Sequence, residues 1–136
     1  MRTLTYLVIF VIASAIWGSE PREADVASLL TRSDAVIIGQ LRKHGGVCAT
    51  GGIYAGEHFD VLSVLVGTVT DSSVSVGFQW RRGEPAVPPK LGEKMVLFLK
   101  CPIVPVERYW IPVDVHAGAQ PYSEALETTI RKLSAR

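Results

Sequence analysis

The chain has 136 residues, of which 48% are hydrophobic and 20% are charged, and its formal net charge is +1. This length predicts a single domain, and the hydrophobic fraction is too high for a disordered chain. The near-neutral charge argues against binding to nucleic acid or to a membrane surface, because both depend on an excess of positive charge.

The start of the chain predicts a secretory signal peptide over residues 1–18. Arg2 precedes an apolar run at residues 7–16, and Ala13 and Ala15 give the small-residue pattern of a cleavage site. Cleavage after Ala15 fits this pattern, and cleavage after residue 18 is the competitor. The apolar run is shorter than the roughly 20 residues of a membrane span, so an uncleaved anchor or a buried helix is the less favoured alternative.

Removal of the signal peptide leaves a domain over residues 19–136 that contains 13 basic and 13 acidic residues. We therefore expect a secreted or periplasmic protein without a stable membrane anchor. Cys48 and Cys101 both lie in this domain. An even number of cysteines in an exported chain predicts a disulfide, here between Cys48 and Cys101, and two separate free thiols are the alternative.

The first elements of the domain are a helix and a buried strand. Apolar residues at helical spacing predict a helix over residues 23–32, and the β-branched run "AVIIGQL" predicts a strand over residues 35–41. Gly39 in the middle of this run indicates a bulge. The glycine-rich segment at residues 42–56 predicts a loop.

The run "HFDVLSVLVGTV" predicts a central strand with apolar residues on both faces. Phe59, Val61 and Leu65 are predicted on one face, and Leu62, Val64 and Val66 on the other. Gly67 ends this strand. The run "DSSVSVGF" alternates between apolar and small polar residues and predicts a third strand nearer the sheet edge.

The second half of the chain predicts two more strands and a closing helix. A proline-rich segment is expected to form a long surface loop before a fourth strand at residues 95–99 and a fifth at residues 109–113. The run "AGAQPY" predicts a turn. The run "SEALETTIRKL" predicts a helix capped by Ser123.

Strands with two apolar faces are buried economically in a closed sheet, so we predict a mainly β fold: a five-stranded OB-like barrel with a short N-terminal helix and a C-terminal helix. The runs "ADVASLLTRSDAVIIGQL", "HFDVLSVLVGTV", "VSVGF" and "KLGEKMVLFL" resemble the netrin-module superfamily, which includes the tissue inhibitors of metalloproteinases, and in particular its small exported bacterial members. The resemblance covers about residues 25–120 and implies the same barrel.

The chain departs from this superfamily at two points. Metalloproteinase inhibitors present a mature N-terminal cysteine to the catalytic zinc, whereas the two candidate mature N-termini here are Ile16 and Ser19. The animal members also have a dense disulfide framework, whereas this chain has Cys48 and Cys101 alone. The resemblance therefore implies an inhibitor-like module without that zinc-directed mechanism.

The candidate catalytic residues do not form a recognisable site. His44, His58 and His116 lack the spacing of metal ligands. Glu57 and Asp60 lie three apart on a strand and therefore point to opposite faces, which prevents them from acting as an acid–base pair. We therefore predict no enzymatic activity, no metal and no cofactor.

The sequence "QWRRGE" is the predicted binding segment. Trp80 followed by Arg81 and Arg82 has the composition of a protein-binding patch, although Trp80 could instead cap the core of the barrel. We predict an exported, non-catalytic protein-binding or inhibitor-like module whose partner is another extracytoplasmic protein. A structural accessory domain of an envelope or secretion assembly is the alternative.

Overall fold

The computed structural model describes residues 22–48, 53–80, 89–101, 110–114 and 116–136, with side chains at all of these positions except 46–48, 53–55 and 79–80. The predicted signal peptide lies outside the described residues. The described part contains two helices, α1 (Glu23–Arg32) and α2 (Glu124–Ser134), and six strands: β1 (Ala35–Cys48), β2 (Ile53–Val66), β3 (Ser73–Trp80), β4 (Lys94–Lys100), β5 (Ile111–Pro112) and β6 (Ala119–Pro121).

The strands form one antiparallel sheet in the order β3-β2-β1-β4-β5, with β6 also paired to β4. The two ends of the sheet meet at Trp110, which forms a parallel bridge with Val76 on β3. The Trp110 N–H donates to the Ser75 carbonyl and the Gly77 N–H donates to the Trp110 carbonyl, both at 2.8 Å. These contacts nearly close the barrel, and the predicted fold class, a mainly β five-stranded OB-like barrel with two helices, is confirmed.

The sheet separates two hydrophobic clusters. One fills the barrel, and the other lies between the outer surface of the sheet and the two helices. Strands β1 and β4 contribute to both, because alternate residues of a strand point to opposite faces. On β4, Leu97 faces the barrel interior, and Val96 and Phe98 pack toward the helices. The two apolar faces of these central strands are explained by this two-layer burial.

Strand β2 is less completely buried than its sequence predicts. Phe59 and Val61 belong to the barrel cluster, but Leu62 is 50% exposed and Val64 is 37% exposed. Leu65 and Val66 both pack in the helix-facing cluster, so the predicted assignment of these two residues to opposite faces is wrong. The cause is a shift in register, since Val36 pairs with Val66 while Ile37 pairs with Val64.

The glycine-rich segment is not a loop over its whole length, which corrects the prediction for residues 42–56. Strand β1 continues to Cys48 and β2 begins at Ile53. Glycine permits a close approach of these strands: a Cβ atom added to Gly45 would lie 1.7 Å from the carbonyl oxygen of Gly56. Cross-strand pairing therefore overrides the turn preference of the glycines.

The run predicted as a turn near residue 119 contains strand β6, which is a second correction. Strands β5 and β6 pair with consecutive parts of β4 and together fill the fifth position of the barrel. The chain leaves the strand between Val113 and Gly118, and Phe98 of β4 spans this interruption by accepting a hydrogen bond from Val113 and donating one to Gly118.

Both helices and the bulge at Gly39 are confirmed. Helix α1 covers residues 23–32 as predicted, and Ser123 caps α2 by accepting a hydrogen bond from the N–H of Leu126 at 3.1 Å. The register of β1 against β2 shifts between Ile38 and Gly39. A Cβ atom on Gly39 would lie 3.3 Å from Phe59 and Leu97, so the absence of a side chain lets the core pack closely.

Candidate functional site

The predicted binding segment leaves the barrel at one end of the sheet, which we call the distal end and define as residues 47–48, 53–55 and 78–80. Cys48 pairs with Tyr54, and Tyr54 pairs with Gln79, so three strands end or begin side by side. Trp80 is the last residue of β3 and pairs with Ile53. The side chain of Trp80, and all of Arg81 and Arg82, lie outside the described residues.

The chain returns to the barrel at Pro89, which is buried. A hydrogen-bonded turn at residues 90–93 follows, and its Gly92 N–H donates to the carbonyl of Leu41 on β1 at 2.8 Å. The segment between Trp80 and Pro89 is therefore attached to the barrel at both of its ends. Both attachment points are ordered parts of the barrel.

The predicted disulfide between Cys48 and Cys101 is not present in the structure. Cys101 is a free, exposed cysteine whose N–H donates to Oδ2 of Asp34 at 2.8 Å. Because Leu99 pairs with Ala35, Cys101 lies near the beginning of β1, whereas Cys48 is the last of its 14 residues. A strand rises about 3.3 Å per residue, so the length of β1 separates Cys101 from Cys48. This separation is greater than the distance of about 7 Å between Cα atoms that a disulfide permits.

A buried carboxylate lies just inside the distal end. Glu57 is only 4% exposed, and among the described residues it is the one charged side chain that is buried. Its Oε2 lies 2.5 Å from Nδ1 of His44, the residue opposite it on β1. His44 itself is about half exposed. The pair thus joins the barrel interior to the surface.

Sequence reasoning missed this pair because it depends on register. His44 was placed in a loop, and nothing local in the sequence shows that β1 continues through the glycines. Two register shifts on β1 flank the position where His44 meets Glu57. The predicted separation of Glu57 from Asp60 agrees with the structure, since Asp60 instead lies 3.6 Å from the guanidinium of Arg42 at the surface.

His58 and Ser75 form a second cross-strand pair that the sequence did not reveal. They occupy paired positions on β2 and β3, and Ser75 Oγ lies 2.8 Å from His58 Nδ1. A serine that is hydrogen-bonded to a histidine is one component of a nucleophilic catalytic site. Such a site also needs a group that orients the histidine. Within the part of the chain that is described, no carboxylate is hydrogen-bonded to His58.

His116 lies in the interruption between β5 and β6, in a turn organised by Asp114. Oδ1 of Asp114 accepts hydrogen bonds from the N–H groups of Ala117 and His116, at 2.8 Å and 2.9 Å. These bonds lower the pKa of Asp114, and Arg32 on α1, 3.7 Å from Oδ2, adds a smaller lowering effect. The turn is thereby attached to the helix layer.

The three histidines lie at three separate places in the fold and do not form one cluster. Among the described residues, no group of three or more His, Cys, Asp or Glu side chains is arranged to hold a metal ion. None of the helices in the described part of the chain combines the length and apolar character that crossing a membrane requires.

Comparisons with known proteins leave the family of this chain open. No protein-family model matches the sequence, and a search of curated proteins finds no significant match. The functional argument therefore depends on the geometry of the barrel and on the segment that it anchors at Trp80 and Pro89.

Proposed function

We propose that this chain is an exported, non-catalytic protein-binding or inhibitor-like module that contacts another extracytoplasmic protein through residues 79–89. The observation that carries the proposal is the attachment of this segment at both ends, by the pairing of Trp80 in β3 and by the burial of Pro89 before the turn at residues 90–93. Recognition loops on a rigid scaffold are typical of binding modules.

The composition of the segment supports a protein partner. Pro85, Pro88 and Pro89 restrict the backbone and reduce the entropy that is lost on docking. Tryptophan and arginine are the residue types most enriched among energetically important interface positions. Trp80 would enter a pocket of the partner while Arg81 and Arg82 pair with carboxylates around it.

Membership of the netrin-module superfamily is part of this proposal. The support is the OB-like strand order, in which β1 pairs with both β2 and β4 and the barrel closes between β3 and β5. The zinc-directed mechanism of the metalloproteinase inhibitors is not included, because it needs an N-terminal cysteine that neither candidate mature N-terminus provides.

Export is tested by the mass of the mature protein. We expect intact-mass measurement on material from the extracytoplasmic fraction to show loss of 15 or 18 residues, corresponding to cleavage after Ala15 or Gly18. Retention of Arg2 in that material would contradict the assignment.

Binding is tested with two variants of the full exported chain, Trp80→Ala and the double variant Arg81→Ala/Arg82→Ala. Crosslinking in the native compartment identifies the partner, and affinity for the purified partner is then measured beside thermal stability. We expect Trp80→Ala to weaken binding by about tenfold or more, with a smaller loss for the double variant. A lower melting temperature for Trp80→Ala, together with unchanged binding by the double variant, would leave the segment with a structural role only.

A further inference from the structure

The turn at residues 90–93 presents an apolar side chain to solvent. Leu91 is 62% exposed, more than Leu62 or Val64, the other large exposed hydrophobic residues of the described part. The N–H of Glu93 donates to the carbonyl of Lys90 at 3.0 Å, and Gly92 has a φ angle of +81°. A positive φ at the third residue is the signature of a type II turn, which places Leu91 at the outward corner.

This turn is fixed to the barrel by further hydrogen bonds. Besides the Gly92–Leu41 bond, the N–H of Leu41 donates to the carbonyl of Glu93 at 3.0 Å, and Nε2 of Gln40 donates to the carbonyl of Gly92 at 3.0 Å. The N–H of Lys90 donates to Oε2 of Glu93 at 2.9 Å. The backbone of Leu91 is therefore already ordered, so a partner that buries this leucine pays little additional ordering entropy.

Several basic residues lie close to Leu91 in the chain or in the strand pairing. Lys90 precedes it, Arg42 and Lys43 follow Leu41 on β1, and Lys94 pairs with Gln40, the residue that holds the turn. Two of these cations already have partners: Arg42 lies 3.6 Å from Asp60, and the ammonium of Lys94 lies 4.0 Å from the ring centroid of Tyr122. Oε2 of Glu93 accepts a hydrogen bond from the N–H of Lys90. Lys43 and Lys90 form no ion pair with any described residue.

We propose that Leu91, together with Lys90, Arg42 and Lys43, forms a docking surface for an acidic protein segment that carries an apolar residue. The leucine would fill an apolar contact, and the cations would pair with the partner's carboxylates and steer its approach. The proposal rests on the binding function proposed above, to which it adds the chemistry of the partner and a second contact beside residues 79–89.

The test begins with a phage-displayed library of short random peptides selected on the purified full chain. We expect the selected peptides to carry Asp or Glu around an apolar residue. Their affinity should fall about tenfold or more for Leu91→Asp and for Lys90→Glu, and it should fall as salt concentration rises, because the exposed charges are screened. Leu62→Asp, which changes an exposed leucine on β2, is the matched control and should leave binding unchanged.

Thermal unfolding of each variant separates binding from folding. The Leu91→Asp variant should keep the melting temperature of the parent chain, because its side chain is mostly exposed. The variant Leu91→Ala provides a second, uncharged test and should also weaken binding.

Several outcomes would overturn the proposal. These are selected peptides without an acidic bias, equal binding to the Leu91→Asp variant, or no enrichment of any peptide. If peptides ignore Leu91 but lose affinity for Arg81→Ala/Arg82→Ala, this docking surface is wrong while the proposed binding function stands. Binding to phosphatidylglycerol vesicles in place of acidic peptides, with the same dependence on Leu91 and Lys90, would replace the protein partner with a membrane and also overturn it.

Discussion

Nδ1 of His44 lies 2.5 Å from Oε2 of Glu57, a carboxylate that is almost entirely buried beneath the distal end of the barrel. A buried carboxylate that loses its hydrogen-bond partner retains the cost of its desolvation. The pair therefore makes the stability of the barrel depend on a residue that is itself half exposed.

The variant His44→Ala should lower the free energy of unfolding by about 1–3 kcal/mol, because it leaves Glu57 without this partner. Adding Glu57→Gln should recover part of the loss, since a neutral amide is less costly to bury than an unpaired carboxylate. Urea denaturation measures both effects. The control is His58→Ala, whose partner Ser75 is only partly buried, and a change within about 0.5 kcal/mol is expected. Equal losses for the two histidine variants would contradict this role of Glu57.

Three glycines provide a graded test of backbone constraint. Gly67 has a φ angle of +79°, and an added Cβ would lie 2.3 Å from the carbonyl oxygen of Asp34. Gly92 has a φ angle of +81° but open space around the added atom, and Gly56 has neither constraint. We expect Gly92→Ala to cost about 1–2 kcal/mol, Gly67→Ala to cost more, and Gly56→Ala to change stability little. Chemical denaturation of the three variants would show a different order if the turn after β2 can relax.

The turn at Asp114 predicts a particular response to acid. Hydrogen bonds from Ala117 and His116 hold the folded-state pKa of Asp114 below the unfolded value, which is about 3.9. A lowered folded-state pKa contributes stability that is present above the unfolded value and is lost as the pH falls through the folded value. Asp114→Asn should therefore be less stable than the parent chain at neutral pH, and the difference should narrow below about pH 4.

Comparison of unfolding curves for the two proteins isolates Asp114, because the other carboxylates titrate in both. A stability difference that stays constant between neutral and strongly acidic pH would show that the ionised state of Asp114 does not stabilise the turn.

Because Cys101 is a free cysteine, we expect reducing agents to leave the stability of this protein unchanged. Cys101 is exposed, so it should react with iodoacetamide in the native state, and both Cys101 and Cys48 should react after unfolding without reductant. The melting temperature should be the same with and without dithiothreitol. Mass spectrometry of the alkylated peptides checks this, and resistance of both cysteines to alkylation in unreduced urea would restore the disulfide.

Local patterns were sufficient to predict much of this fold. Helix α1 follows from apolar residues at helical spacing, and the apolar run "MVLFL" correctly indicated the fourth strand. Features that depend on the pairing of one strand with another could not be predicted from local sequence patterns. The glycines near Gly45 favour a turn locally, and only the opposite strand makes them extended, so β1 was predicted too short and His44 was separated from Glu57.

The turn at Leu91 also required the structure. Sequence alone indicates a long surface loop before the fourth strand, but the exposure of Leu91 depends on the hydrogen bonds to Gln40 and Leu41, residues about 50 positions earlier in the chain. The prediction of a Cys48–Cys101 disulfide was wrong for a related reason. The number of cysteines carries no information about which end of β1 each cysteine lies near.

Among the described residues, two backbone hydrogen bonds of Trp110 close the barrel, whereas long ladders of residue pairs join β1 to β2 and to β4. Of the described residues, Gly77 and Trp110 alone donate backbone hydrogen bonds across this line, so we expect local opening to begin there while the helix-facing cluster stays packed. In deuterated water, the amides of Gly77 and Trp110 should exchange well before those of Ile37 and Leu97. The barrel is in this respect a rolled sheet whose two edges are joined at Trp110. Because this residue is a tryptophan, a change in its intrinsic fluorescence would accompany separation of the edges.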